Sequence, residues 1–138
     1  LGMVDASAKR LLALVDDEIV GHGTLKRPRR GWMAHVGEIR VVVTPARQRQ
    51  GIGTALVRCL VGQGITWGLE KMVGLVMENR IGARKAFERL GFREEAVLKK
   101  HVEDLSGTRW DLFVMANDVS YLWETMKSEV PDYTRMAD

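Results

Sequence analysis

The chain has 138 residues, with 21 Lys and Arg against 18 Asp and Glu, a formal charge of +3 and one cysteine, Cys59. At 46% hydrophobic and 28% charged residues it reads as one soluble globular domain over 1–138, neither disordered nor collagen-like. No apolar run approaches the roughly 18–20 residues of a bilayer span, no signal peptide opens the sequence, and a lone cysteine excludes an internal disulfide or multi-cysteine metal site. A reducing compartment, the cytoplasm, is expected. The positive excess suits an anionic small ligand and is too mild to argue for nucleic acid.

In chain order, Arg10 to Val15 reads as a strand, Asp16-Asp17-Glu18 as a turn, and Ile19 to Leu25 as the antiparallel return strand. Lys26 to Gly31 is a loop by composition, with a basic cluster of Lys26, Arg27, Arg29 and Arg30 near Trp32. A third strand runs from about Ala34 to Val43, ends in the β-branched run Val41-Val42-Val43 and is stopped at Pro45. Gly51 to Trp67 repeats apolar residues at helical period (Ile52, Ala55, Leu56, Cys59, Leu60, Ile65), with slippage at Gly62 and Gly64. Met72 to Met77 is a buried-type strand. Ile81 to Leu90 is a second amphipathic helix with Ala83, Ala86, Phe87 and Leu90 on one face and Gly91 as its stop. Phe92 to Val102 and Arg109 to Met115 read as two strands joined through Asp104 to Thr108. Val119 to Lys127 reads as a final helix, about 119–128. The order β-β-β-α-β-α-β-β-α is a mixed α/β layer fold.

The stretch Val41 to Thr54 carries the chemistry. A strand ends, an Arg- and Gln-rich turn follows, and Gly51 and Gly53 bracket a helix start. The first turn of a helix leaves N–H groups without intrahelical partners at the positive end of its dipole, and glycines let an anion approach them. Arg47 and Arg49 can add charge, and a diphosphate is the natural guest. The bland alternative is a tight strand-to-helix turn. A dinucleotide fingerprint fits poorly, because Leu56 stands where a third glycine belongs, and the Gly-Lys-Ser/Thr ending of a P-loop is missing.

Gln48-Arg49-Gln50-Gly51-Ile52-Gly53 resembles the Gln/Arg-x-x-Gly-x-Gly/Ala acetyl-CoA loop of the GNAT superfamily of N-acetyltransferases. Val41-Val42-Val43 is similar to that family's central strand. Ala86-Phe87-Glu88-Arg89-Leu90-Gly91-Phe92 resembles its helix-to-strand signature, and Asn79 sits near an Asn the family places after its fifth strand. The likeness covers about residues 10–115. It implies an α/β fold whose mixed, mostly antiparallel central sheet splays between the family's fourth and fifth strands, with flanking helices. It also implies acetyl-CoA as co-substrate, no metal, and transfer of the acetyl group to a primary amine by direct attack on the thioester. Cofactor binding would then fall to Val41, Val42, Val43, Gln48, Arg49, Gln50, Gly51, Ile52, Gly53, Thr54, Asn79 and Phe87, with a central-strand N–H, that of Val43, facing the developing oxyanion.

The chain departs from the family pattern in three places. Phe87 stands where many members have a Tyr able to protonate the leaving thiolate. The spacing from Asn79 to Phe87 is one residue longer than the family's commonest. About nine residues precede the first hairpin where the family carries two helices, so these are expected to be short or missing; a truncated chain, a further upstream segment, or an acceptor site completed by a second subunit of a homodimer would each account for that.

An attacking amine must lose a proton. Glu38, on the central strand, is the first candidate base. Strand parity places it with Arg40 and Val42, opposite Val43, and the bland reading is a surface pair with Arg40. Glu78, after the next strand, is the second candidate, against a solvated loop carboxylate. His101 is a further one on titration range alone. His22 and His35 lack metal or triad spacing, and Cys59 falls in an apolar stripe that favours packing. Trp110, Phe113, Tyr121 and Trp123 read as core or subunit contacts. The partners expected are acetyl-CoA and an amine, without membrane or nucleic acid. The alternative function is a catalytically weak acyl-CoA-binding or sensing module. A third reading, a nucleic-acid binder using the basic loop, predicts steep salt dependence.

Overall fold

The structure, a computed structural model, describes residues 7–119. Its elements are β1 (Ala8–Val15), β2 (Glu18–Lys26), β3 (Val36–Val43), α1 (Ile52–Thr66), β4 (Lys71–Met77), α2 (Ile81–Arg89), β5 (Arg93–Glu103) and β6 (Arg109–Asp118), with one 3-10 turn over Pro45–Arg47. The eight elements expected between Arg10 and Met115 are present, with ends that differ by up to three residues. The helix expected from Val119 onward lies outside the described residues beyond its first position, as do Tyr121 and Trp123.

Six strands form one sheet in the order β1-β2-β3-β4-β6-β5. Only the β3–β4 pair is parallel, so the sheet is mixed and mostly antiparallel. The β1–β2 hairpin turns through Asp16 and Asp17, both at positive φ (50° and 66°), the geometry a two-residue hairpin demands. The outer strand β5 is exposed along almost its whole length and carries charges at Lys99 and Lys100, which discourage edge-to-edge pairing.

One core lies between the sheet and the two helices: Leu25, Ile39, Val57, Leu60, Val61, Met72, Val76, Phe87 and Met115 belong to it. The predicted face of α2 is the buried one, with Ala86, Phe87 and Leu90 all inside. The stripe of α1 is broader than periodicity suggested. Val57 and Val61 are fully buried, whereas Ala55 is exposed. Helix α1 lies close on the sheet because β2 offers glycines beneath it: a Cβ at Gly23 would come within 2.8 Å of Leu60 Cδ1. Helix α2 closes through Gly91 (φ 87°), with the Phe92 N–H on Phe87 C=O at 3.1 Å and the Gly91 N–H on Glu88 C=O at 3.0 Å.

Among the described residues, the sheet opens between β3 and β4. Strands β3 and β4 are paired from Val36–Lys71 to Ile39–Gly74 and no further, although β3 continues to Val43 and β4 to Met77. The strands part beyond Gly74, and the ring of Phe87 covers that point: a Cβ on Gly74 would stand 2.5 Å from Phe87 Cζ. No helix among the described residues is long and apolar enough to cross a membrane.

Candidate functional site

The parting of β3 and β4 leaves backbone groups of β3 without a strand partner, and the ladder with β2 decides which ones. Thr44 N–H donates to Val20 C=O at 2.9 Å, which makes Thr44–Val20 a hydrogen-bonded pair of the antiparallel β2–β3 ladder. Such pairs alternate, so Val42 and Arg40 direct their amides and carbonyls to β2. Ile39, Val41 and Val43 direct theirs toward β4. Ile39 finds β4; Val41 and Val43 face the cleft. Of the three valines singled out in the sequence, Val42 therefore turns its backbone away.

The cleft runs into the start of α1. Gly51 is the N-cap in left-handed conformation (φ 82°, ψ 2°), a region open to glycine at little cost, and no side chain caps the helix. The first intrahelical bond runs from Ala55 N–H to Gly51 C=O at 3.0 Å, so the amides of Ile52, Gly53 and Thr54 precede it. No acidic residue stands in that first turn. Arg47 and Arg49 flank it, and neither belongs to an ion pair among the described residues. Arg49 is itself held at φ 66°, so the turn is shaped by two departures from ordinary backbone, at Arg49 and Gly51. Gln48 donates from Nε2 to the Val43 carbonyl at 3.1 Å, tying the loop to the strand end and engaging its own side chain. Gln50 is exposed.

Gly53 is where strand, helix and helix meet. A Cβ there would lie 3.7 Å from Val43 Cγ2 and 3.8 Å from Ala86 Cβ, ordinary contact distances, so an alanine fits. Arg89, at the end of α2, donates from Nη1 to Thr54 Oγ1 at 3.3 Å, which brings a third guanidinium to the same helix start. Sequence reading missed Arg89; its signal was an arginine two residues before the Gly91 stop. An uncapped, acid-free helix start with Arg89 bonded to Thr54 and with Arg47 and Arg49 in the loop leading into it is an arrangement suited to a diphosphate.

Asn79 is exposed in the turn between β4 and α2, at the far lip of the cleft. Phe87 is 1% exposed and packs edge-on against Phe92 (centroids 5.0 Å apart), so it belongs to the floor of the parting. Glu38 lies on the sheet face away from both helices, paired to Arg40 at 3.2 Å. The β2–β3 register runs without a bulge, so parity holds as expected. Glu78 accepts the Asp111 N–H on Oε1 at 2.7 Å while its own N–H donates to the Asp111 carbonyl, an engagement that extends the β4–β6 ladder. Asp111 in turn accepts the Lys100 N–H (2.9 Å) and Lys99 Nζ (3.3 Å), and the Lys100 bond above all holds its carboxyl below the usual range. His101 sits in a bulge of β5, two strands beyond the cleft wall. The buried Cys59 has its thiol pushed up by desolvation, with Arg58 opposing, which disfavours the nucleophilic thiolate. No group of three or more His, Cys, Asp or Glu among the described residues could hold a metal ion.

Comparison with known proteins fits this geometry. The sequence matches the acetyltransferase (GNAT) family over residues 3–92. The chain belongs to that family. It is 29% identical over 97 residues to the L-amino acid N-acetyltransferase AaaT of Escherichia coli, a match covering 67% of this chain and 58% of the relative, so the chain spans less than two thirds of that protein's length. A GNAT acetyltransferase from Streptococcus pneumoniae superposes with a TM-score of 0.72 at 18% identity, over 81% of this chain and 67% of the other. A phosphinothricin acetyltransferase from Sinorhizobium meliloti, solved in complex with AcCoA, gives 0.70 at 21% identity, over 79% and 60%. In GNAT terms, β3 and β4 are the strands between which the family's sheet splays.

Proposed function

We propose that the chain is an acetyl-CoA-dependent N-acetyltransferase passing the acetyl group to a primary amine. The observation carrying this reading is the opening between β3 and β4, lined by the backbone of Val41 and Val43, which has no strand partner on that side, and ending at the uncapped amides of Ile52, Gly53 and Thr54. A pantetheine arm laid along β3 as an extra strand pairs with Val41 and Val43. Its diphosphate meets the helix start, with Arg47, Arg49 and Arg89 supplying charge, and Asn79 offers a polar contact from the opposite lip.

The thioester supplies the activated acyl carbon. The amine attacks it, the C–S bond breaks with its electron pair on sulfur, and the amine's proton passes to a base or to water. The developing oxyanion calls for a fixed donor near the parting. Val43, expected from sequence, stands beside Gly53 at the diphosphate end; the Val41 N–H lies one strand repeat nearer the parting and is the better donor. Glu38 is one residue before the last paired position, on the face free of helices, and takes the proton directly or through water once it leaves Arg40. Glu78, engaged by the Asp111 amide, is the weaker candidate.

The test is thioester cleavage followed with a thiol reagent over amino acids, polyamines and peptide N-termini. Amino-acid α-amines come first, given the L-amino acid N-acetyltransferase among the relatives. Turnover with one class, reduced on the order of 10²-fold in Glu38→Gln, supports the reading. One observation favours the second reading, an acyl-CoA sensing module: Phe87 has no proton to give a leaving thiolate. Uptake of acetyl-CoA without turnover on any amine would support it.

A further inference from the structure

We infer that the loop between β2 and β3 is a docking site for an acidic polypeptide segment, separate from the cofactor cleft. The loop projects Trp32, 88% exposed, and Met33, 55% exposed, side by side. Two successive turn bonds hold this tip: Ala34 N–H to Gly31 C=O at 3.2 Å and Val36 N–H to Met33 C=O at 3.0 Å. Both roots are pinned. Arg27 stacks on Trp67 with its guanidinium carbon 4.1 Å from the ring centroid and donates to the Trp67 carbonyl at 3.3 Å. On the other side the His35 carbonyl accepts the amides of Glu70 (2.9 Å) and Lys71 (3.2 Å). The exposure of Trp32 is thus built into a fixed loop, and little ordering entropy remains to oppose docking.

The charge around the tip has one sign. Lys26, Arg29 and Arg30 are exposed, none of them belongs to an ion pair among the described residues, and no acid occurs between Lys26 and His35. The neighbouring acids are Glu38, already paired to Arg40, and Glu70 at the root. Trp, Met and Arg are the residue types that concentrate in the centres of protein interfaces, and a cationic rim selects an anionic partner. Three cations and one aromatic are too few for the 6–10 phosphate contacts of a nucleic-acid footprint, and a single tryptophan with about 1 kcal/mol per cation falls short of stable membrane anchoring. They match a peptide a few residues long in which Asp and Glu flank an apolar side chain. The loop lies at the start of β3 and the diphosphate cradle beyond its end, a strand length of about 25 Å apart, so the two sites do not share residues.

The probe is a fluorescein-labelled synthetic peptide of Asp and Glu flanking a Leu-Phe pair, titrated with the full chain by fluorescence polarisation. Control probes are the same peptide with Ser-Ser at its centre, phosphatidylglycerol vesicles and a short oligodeoxynucleotide. Trp32→Ala and the double change Arg29→Glu with Arg30→Glu alter exposed side chains, and circular dichroism checks that each variant folds. Each is expected to weaken the Leu-Phe peptide about tenfold, with acetyl-CoA uptake unchanged. Equal affinity in wild type and both variants would overturn the proposal, as would tighter, Trp32-dependent binding of vesicles or oligonucleotide.

Discussion

The ring of Phe87 lies across Gly74, the last residue of β4 that pairs with β3. A side chain at Gly74 has nowhere to go while Phe87 keeps its position, and the ring seals the point from which the cleft opens. Gly74→Ala is therefore expected to destabilise by about 1–3 kcal/mol through overpacking. Phe87→Leu, which frees part of that volume, should recover some of the loss in the double variant. Urea unfolding of the two single variants and the double variant measures the coupling.

Gly51 has open space where a Cβ would stand, so its substitution tests backbone conformation alone. Gly51→Ala should cost about 1–2 kcal/mol of stability for holding a non-glycine residue at φ 82°. Gly68, also at positive φ with open space around it but remote from α1's first turn, is the control. Both alanine variants should lose similar stability in a thermal melt, and Gly51→Ala alone should weaken acetyl-CoA uptake.

The β5–β6 connection contains a carboxylate clamp with a defined pH signature. Asp104 accepts from the Ser106 hydroxyl and the Trp110 indole, which lead the causes of its shift, and from the amides of Ser106 and Thr108; its pKa falls from the ordinary 3.8 to about 2. A depressed folded-state value means a contribution fully present above about pH 4 and lost as pH falls through about 2. Asp104→Asn should flatten the pH dependence of stability across that window. Chemical denaturation at stepped pH, with tryptophan emission as the signal, reads it.

Cys59 is buried, and desolvation raises its thiol pKa. Native protein should resist iodoacetamide at neutral pH, whereas unfolded chain reacts at the rate of a free thiol. Mass spectrometry of the two reactions gives the ratio directly. Rapid native labelling would mean that α1 is not seated on the sheet as described.

Much of this architecture was legible because local rules and tertiary demands agree. Gly51 before an apolar-periodic run marked the start of α1, and Ala83, Ala86, Phe87 and Leu90 marked the buried face of α2. Less legible was anything set by a neighbour across the sheet. Which of Val41, Val42 and Val43 turns its backbone to the cleft depends on the hydrogen-bonding phase with β2, and no residue type records that phase. The close seating of Leu56 and Leu60 of α1 on the sheet follows from Gly21 and Gly23 on β2, more than thirty residues earlier in the chain. Glu78 looked like a free loop carboxylate because its partner is the backbone of Asp111, a contact made by folding rather than by composition. Arg89 joined the helix start through Thr54 for the same reason.

We propose that the end of the open cleft and the uncapped start of α1 form one anion-receiving surface. Isothermal titration of acetyl-CoA into wild type and Gly53→Trp tests it most directly, with circular dichroism to show that the variant is folded. Saturable uptake by wild type and none by the variant, whose indole would crowd the helix start beside Val43 and Ala86, is the expected result. Equal uptake by both proteins would contradict it.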